Sequence, residues 1–137
     1  TFNCSDVGVQ QVEFKVVDSK GNQATRMIEV RVRDTSAPTI QPLLRTFVWI
    51  MLQGQSYQVP DFRGLTLTSD NCGTVVSQFP ARGTVLRSGG NYTIRLVATD
   101  PSGNSRETTI NLRLLVLRIS FPFFFREEEG TPSMIEV

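Results

Sequence analysis

The 137-residue chain has no histidine, two cysteines and one tryptophan, and its 14 Lys and Arg residues nearly cancel its 13 Asp and Glu residues. Each shortage removes a class of function. Without histidine there is no imidazole general base, no imidazole metal ligand and no Ser/His or Cys/His nucleophile pair. Catalysis would rest on carboxylates alone. The candidates are Asp61 with Asp70, and the run Glu127-Glu128-Glu129, and neither has any surrounding signal beyond that of solvated loop and tail residues. No catalytic residue, cofactor-binding residue or metal ligand is therefore assigned, no cofactor is expected, and the chain reads as a non-enzyme. Basic residues scattered along polar strand faces argue against a nucleic-acid partner. The longest apolar run, Leu114 to Phe125, is interrupted by Arg118 and Pro122 and falls short of the roughly 20 residues a spanning helix needs.

What the chain does contain is a repeat. An offset of 82 residues lays Thr1 to Val32 over Gly83 to Leu114 without a gap, and pairs Gly8 with Gly90, Asp18 with Asp100, Gly21 with Gly103, Asn22 with Asn104, Ile28 with Ile110 and Arg31 with Arg113. In both copies the apolar residues alternate: Val12, Phe14, Val16 then Ile28, Val30, Val32 in the first, and Ile94, Leu96, Ala98 then Ile110, Leu112, Leu114 in the second. Period two means strands with one buried face. Between the strands lies Asp-x-x-Gly-Asn, in which the carboxylate accepts hydrogen bonds from backbone amides ahead of it and Gly takes positive φ. Each copy is thus a β-hairpin. Asp18, Asn22, Asp100 and Asn104 are also oxygen donors, so a Ca²⁺ reading competes; turn chemistry alone explains them, and such a site wants about six to eight oxygens.

An 82-residue unit divides the chain into about one and two-thirds copies. Three segments follow: residues 1–34 as the C-terminal part of a truncated repeat, 35–116 as a complete domain, and 117–137 as an unassigned tail. The chain accordingly reads as a piece of a longer tandem array. Asp34-Thr35-Ser36-Ala37-Pro38 is a short linker whose proline enforces an extended lead-in. Strands are expected at Val9–Asp18, Ala24–Arg33, Thr39–Gln41, Thr46–Leu52, Tyr57–Val59, Gly64–Thr68, Thr74–Phe79, Thr84–Leu86, Tyr92–Thr99 and Arg106–Leu114. In the fourth of these, Phe47, Trp49 and Met51 share one side, and core packing is the expected role of Trp49. Short strands separated by turn signals predict an all-β, immunoglobulin-like β-sandwich preceded by the C-terminal hairpin of a sister repeat. The tail Phe121-Pro122-Phe123-Phe124-Phe125 reads either as a strand extension before a disordered acidic end or as an aromatic patch that docks on a partner or on the half-built first copy.

Cys4 and Cys72 are too few for a zinc site. Cys4 aligns with Leu86, so the two cysteines occupy different repeat positions and a bond between them would have to cross from one copy to the next. Two small buried thiols are the favoured reading, with that crossing bond as the other possibility.

The full copy resembles a hyalin-repeat (HYR) domain, of the type strung in tandem in secreted bacterial adhesins and extracellular matrix proteins. The matching residues are Asp34-Thr35-Ser36-Ala37-Pro38-Thr39-Ile40, Pro60-Asp61-Phe62-Arg63-Gly64, Ser69-Asp70-Asn71-Cys72-Gly73, Phe79-Pro80-Ala81-Arg82-Gly83-Thr84-Val85-Leu86 and Ala98-Thr99-Asp100-Pro101-Ser102-Gly103-Asn104. Thr1 to Gly8 is similar to the closing half of a sister repeat. The resemblance implies an intradomain disulfide for Cys72, with a partner at Leu86 or near Thr108; neither is a cysteine, so Cys72 looks orphaned, and Cys4 looks like a residue whose partner lies upstream. It further implies an extracellular or cell-surface location, where the sequons Asn3-Cys4-Ser5 and Asn91-Tyr92-Thr93 would matter only in a eukaryotic secretory pathway.

The expected function is a non-catalytic structural and adhesion module, with neighbouring repeats, cell-surface or matrix proteins or polysaccharide as partners. The alternative is an accessory spacer or carbohydrate-binding module of a secreted hydrolase. Exposure of Trp49 beside Phe47 or Tyr57 would favour that alternative.

Overall fold

The computed structural model describes residues 1–119. The aromatic tail and the Glu127-Glu128-Glu129 run lie outside the described residues. Ten strands follow in order: β1 (Gly8–Val17), β2 (Gln23–Val32), β3 (Thr39–Pro42), β4 (Thr46–Leu52), β5 (Tyr57–Gln58), β6 (Thr66–Ser69), β7 (Val75–Phe79), β8 (Val85–Leu86), β9 (Gly90–Thr99) and β10 (Ser105–Leu117). Two 3₁₀ turns, Cys4–Asp6 and Arg63–Leu65, complete the regular structure. The fold is all-β, and among the described residues no helix is long and apolar enough to cross a membrane.

β1 and β2 form an antiparallel hairpin on their own, from Gly8 opposite Val32 to Val17 opposite Gln23. The larger sheet has the order β4-β10-β9-β7. β9 is antiparallel to both β10 and β7, whereas β4 pairs with β10 in parallel, from Thr46 beside Asn111 to Leu52 beside Leu117. β4, β7 and β10 therefore run in one direction and β9 in the other. Two short ladders, β3–β6 and β5–β8, supply the remaining pairing.

The alternation in β9 and β10 explains where the core sits. Ile94, Leu96, Ala98, Ile110, Leu112 and Leu114 all point to one face and are fully or almost fully buried. They pack with Ile40 from β3, Tyr57 from β5, and Val59 and Phe62 from the segment after β5. Burying each large aliphatic side chain contributes about 1.5–3 kcal/mol. The shared cluster brings both short ladders onto the large sheet, an arrangement compatible with a β-sandwich. Phe47 meets Phe62 edge to face, with ring centroids 5.3 Å apart.

The segment after β5 is fixed by one buried polar side chain. Gln78, on β7, is 8% exposed. Its oxygen accepts the Phe62 backbone N–H at 2.7 Å, and its amide nitrogen donates to the carbonyls of Pro60 at 2.9 Å and Pro80 at 3.0 Å. Gly89 has a different reason to be glycine: a Cβ there would stand 2.8 Å from Cγ2 of Val116 and 3.0 Å from the carbonyl oxygen of Leu114.

The first copy departs from the expected burial. Ile94, Leu96, Ala98 and Ile110 are inaccessible, yet their repeat partners are not: Phe14 is 56% exposed, Val16 53% and Ile28 40%. Residues 1–32 contain a single hairpin, so nothing in the described residues covers the face that alternation would bury. The hairpin geometry survives because it is local; the burial does not, because burial needs a second layer.

Candidate functional site at the junction of the two copies

The two Asp-x-x-Gly-Asn turns are the same object built twice. In the first, Asp18 Oδ1 accepts the Lys20 and Asn22 amides at 2.9 and 2.8 Å, and Asp18 Oδ2 accepts the Asn22 side-chain amide at 2.8 Å. In the second, Asp100 Oδ1 accepts the Ser102 and Asn104 amides at 2.9 and 2.8 Å, and Oδ2 accepts the Asn104 side-chain amide at 2.7 Å. Gly21 and Gly103 supply the positive φ, +87° and +91°. The hydrogen bonds hold the Asp18 carboxyl below its ordinary value, the Asn22 side chain contributing most. At Asp100 burial pushes the other way, and the bonds from Asn104, Ser102 and Gly103 together outweigh it, so that this carboxyl is lowered too. In each turn the Asp oxygens accept backbone and Asn side-chain amides of the same turn. Of the two turn carboxylates, Asp100 belongs to a group of three acidic residues among the described residues, and Asp18 does not.

The second turn does one thing more. Asn104 also donates its side-chain amide to the Asp34 backbone carbonyl at 2.9 Å, fastening the linker to the β9–β10 turn. The Asp34 Oδ1 atom accepts the Ser36 amide at 3.0 Å and the Asn71 side-chain amide at 3.4 Å. Asp70, in the loop between β6 and β7, accepts the Cys72 amide at 2.8 Å. Asp34, Asp70 and Asp100 thereby converge: a carboxylate oxygen of each lies within 4.8 Å of one from both others. Asp34 Oδ2 is buried and has no hydrogen-bond partner.

The same pole carries a covalent link that corrects the reading of the cysteines. Cys4 and Cys72 form a disulfide, with Cα atoms 5.4 Å apart, and no described cysteine is free. Neither residue is a buried thiol, and Cys72 is not orphaned. The alignment compares positions within a copy, whereas this bond joins the 3₁₀ turn before β1 to a loop of the next copy. Asn3 caps that turn, its side chain accepting the Ser5 amide while Asp6 accepts the Asn3 amide. A groove of about 420 Å³, lined by Phe2, Val7, Arg33 and Asp34 among others, runs beside the bond.

A second concavity, of about 790 Å³, lies over β4 and β5 and is lined by Phe47, Trp49, Met51, Gln55, Tyr57 and Gln58. Trp49 is 48% exposed, against the expected core role. Its ring lies 5.6 Å from that of Tyr57, tilted by 45°. β4 is an edge strand and the facing β5 is two residues long, so Met51 is covered while Trp49 is left open. Burial raises the pKa of the Tyr57 hydroxyl.

The paired carboxylates considered for catalysis have separate partners. Asp61 is held by Arg63 through two bonds of 2.8 and 2.7 Å, which keeps its carboxyl well below the usual range; Asp70 belongs to the junction. In the sequence Asp34 and Asp70 stand in two separate motifs, with nothing that pairs them. The signal was their place at the linker and the β6–β7 loop, the same pole as the β9–β10 turn. Compared with known proteins, the chain matches no protein-family model and no curated protein sequence.

Proposed function

We propose that the chain is a non-catalytic structural and adhesion module of hyalin-repeat type, from a tandem-repeat protein of the extracellular space or cell surface. Residues 1–34 are the end of one repeat and 35–116 a complete immunoglobulin-like sandwich; its partners are neighbouring repeats and cell-surface or matrix proteins or polysaccharide. Support for the sandwich type comes from Tyr92, whose hydroxyl donates to the Ser88 carbonyl at 2.8 Å. A tyrosine near the start of a strand bonded to backbone just upstream is the corner found in that class. The Cys4–Cys72 bond is compatible with an oxidising compartment.

The observation that carries the reading is strand direction. β7 begins at the pole where the linker and Cys72 sit, β4 starts beside Asn111 about halfway along β10, and β10, parallel to both, leaves at the other end. Tension entering through the linker or the disulfide and leaving past Leu117 loads the β4–β10 and β7–β9–β10 ladders along their length, so many hydrogen bonds must yield together. Short proline-bearing linkers restrict bending between such units, and repetition raises avidity.

Pulling single molecules of the full chain by their ends tests this. A distinct force peak is expected, and reduction should lengthen the released chain by about 230 Å, the contour of the 68-residue span the bond encloses. Smooth extension without a peak in either redox state refutes a load-bearing role.

The Trp49–Tyr57 groove favours the second reading, a carbohydrate-binding or spacer module of a secreted hydrolase, because aromatic faces are platforms for sugar rings. Affinity electrophoresis of the chain and of Trp49→Ala in soluble polysaccharides decides: retardation lost in the variant supports this reading, and equal mobility with and without polysaccharide removes it.

A further inference from the structure

We propose that Asp34, Asp70 and Asp100 form a site for a hard divalent cation, Ca²⁺ by preference, at the pole where the linker meets the larger sheet. The three carboxylates come from three separate segments: the linker, the β6–β7 loop and the β9–β10 turn. Their oxygens lie within 4.8 Å of one another. Two ligands of one Ca²⁺ bound at 2.3–2.6 Å can stand up to about 5 Å apart, so a single ion can reach all three.

Two further observations point to a ligand. Asp34 Oδ2 is buried and accepts no hydrogen bond, although Asp34 Oδ1 has two donors within 3.4 Å. A buried carboxylate oxygen without a partner is costly unless something positive reaches it. The second is charge. Asp100 is 5% exposed, and the ion pairs among the described residues join Arg63 to Asp61 and Arg95 to Glu107, so none reaches the triplet. Three gathered carboxylates with no basic partner repel one another, and a cation removes both that repulsion and the orphaned oxygen.

The donor set selects the ion. It is all oxygen, without sulfur or imidazole, which favours Ca²⁺ or Mg²⁺ over zinc or copper. Ligands drawn from a linker, a loop and a turn suit the flexible coordination of Ca²⁺ better than the strict octahedron of Mg²⁺. The grooves bordering Asp34, about 420 and 400 Å³, leave room for water to complete the shell. An affinity in the 10⁻⁴–10⁻³ M range of extracellular modules is expected. The ion would fasten the linker to both loops, beside the Cys4–Cys72 bond, and this holds whether or not the chain is an adhesive module.

The test is calorimetric titration of CaCl₂ into the chelator-treated full chain, with thermal melts in calcium and in chelator. Saturable heat and a rise in Tm of about 5 °C at ten times Kd are expected. In Asp34→Asn the affinity should fall at least tenfold and the Tm rise should vanish, while its Tm in chelator equals or exceeds that of the unaltered chain, because a repelling charge has gone. Asp70→Asn provides the same readout should Asp34→Asn fail to fold, and Asp18→Asn should keep the full calcium response. No heat and no change in Tm up to about 10 mM calcium, or an unchanged response in a folded Asp34→Asn or Asp70→Asn, overturns the proposal.

Discussion

Gln78 holds Phe62 in place through the backbone, accepting its N–H at 2.7 Å, and the same side chain bridges the carbonyls of Pro60 and Pro80. Replacing it with leucine keeps the volume and removes every one of those bonds. Gln78→Leu is expected to cost about 2–4 kcal/mol, since buried backbone groups would be left without partners. Urea unfolding measures it; a loss below about 0.5 kcal/mol would mean that water replaces the side chain at little cost.

Gly89 and Gly64 make a controlled pair. A Cβ at Gly89 meets backbone and side chain of β10, whereas one at Gly64 meets nothing within 4 Å. Gly89→Ala should destabilise by about 1–3 kcal/mol, and Gly64→Ala should change stability by less than about 0.5 kcal/mol. Equal effects in chemical denaturation would contradict the close approach of Gly89 to β10.

Acid should loosen the first hairpin turn. The Asn22 side-chain amide and then the backbone amides hold the Asp18 carboxyl below its ordinary value. A depressed folded pKa contributes stability above the unfolded value, near 4, and that contribution is lost as pH falls through the lower folded value. Carbon-detected NMR titration should place the Asp18 midpoint below that of an unstructured aspartate, with the Asn22 amide resonances shifting in step. A midpoint at or above the ordinary value would show that the turn does not bind the charged form.

Reduction should weaken the junction rather than the core. The Cys4–Cys72 bond spans 68 residues, and constraint of the unfolded chain by a loop of that size contributes at most about 4 kcal/mol on the chain-entropy account. Dithiothreitol should lower the guanidinium midpoint of the native chain, and the double variant Cys4→Ser/Cys72→Ser should match the reduced protein and ignore the reagent. Identical midpoints in all four measurements would show that the bond constrains nothing that unfolds cooperatively.

Local chemistry was legible in the sequence and contacts between copies were not. The strand Thr46–Leu52 has the boundaries that its β-branched and aromatic run indicates, and the two Asp-x-x-Gly-Asn turns carry the hydrogen bonds that their side chains require. Those features depend on residues a few positions apart. Exposure of Trp49 depends instead on β5 being only two residues long on the facing side, and the Cys4–Cys72 bond on the first hairpin, which sets Gly8 opposite Val32 and so brings Cys4 to the linker end. Asp34, Asp70 and Asp100 sit in three motifs, each of which already had a local explanation as linker, loop or turn; only the fold brings their carboxylates together.

Because the sulfurs of Cys4 and Cys72 are joined, residues 5–71 lie inside a covalent ring that encloses the first hairpin, the linker, β3 to β6 and the Phe62 segment. A protease cutting once anywhere in that ring, for instance at the linker, opens a circle without separating two pieces. Such a nicked molecule migrates as one band until a reductant is added, so damage inside the ring leaves both halves attached to each other.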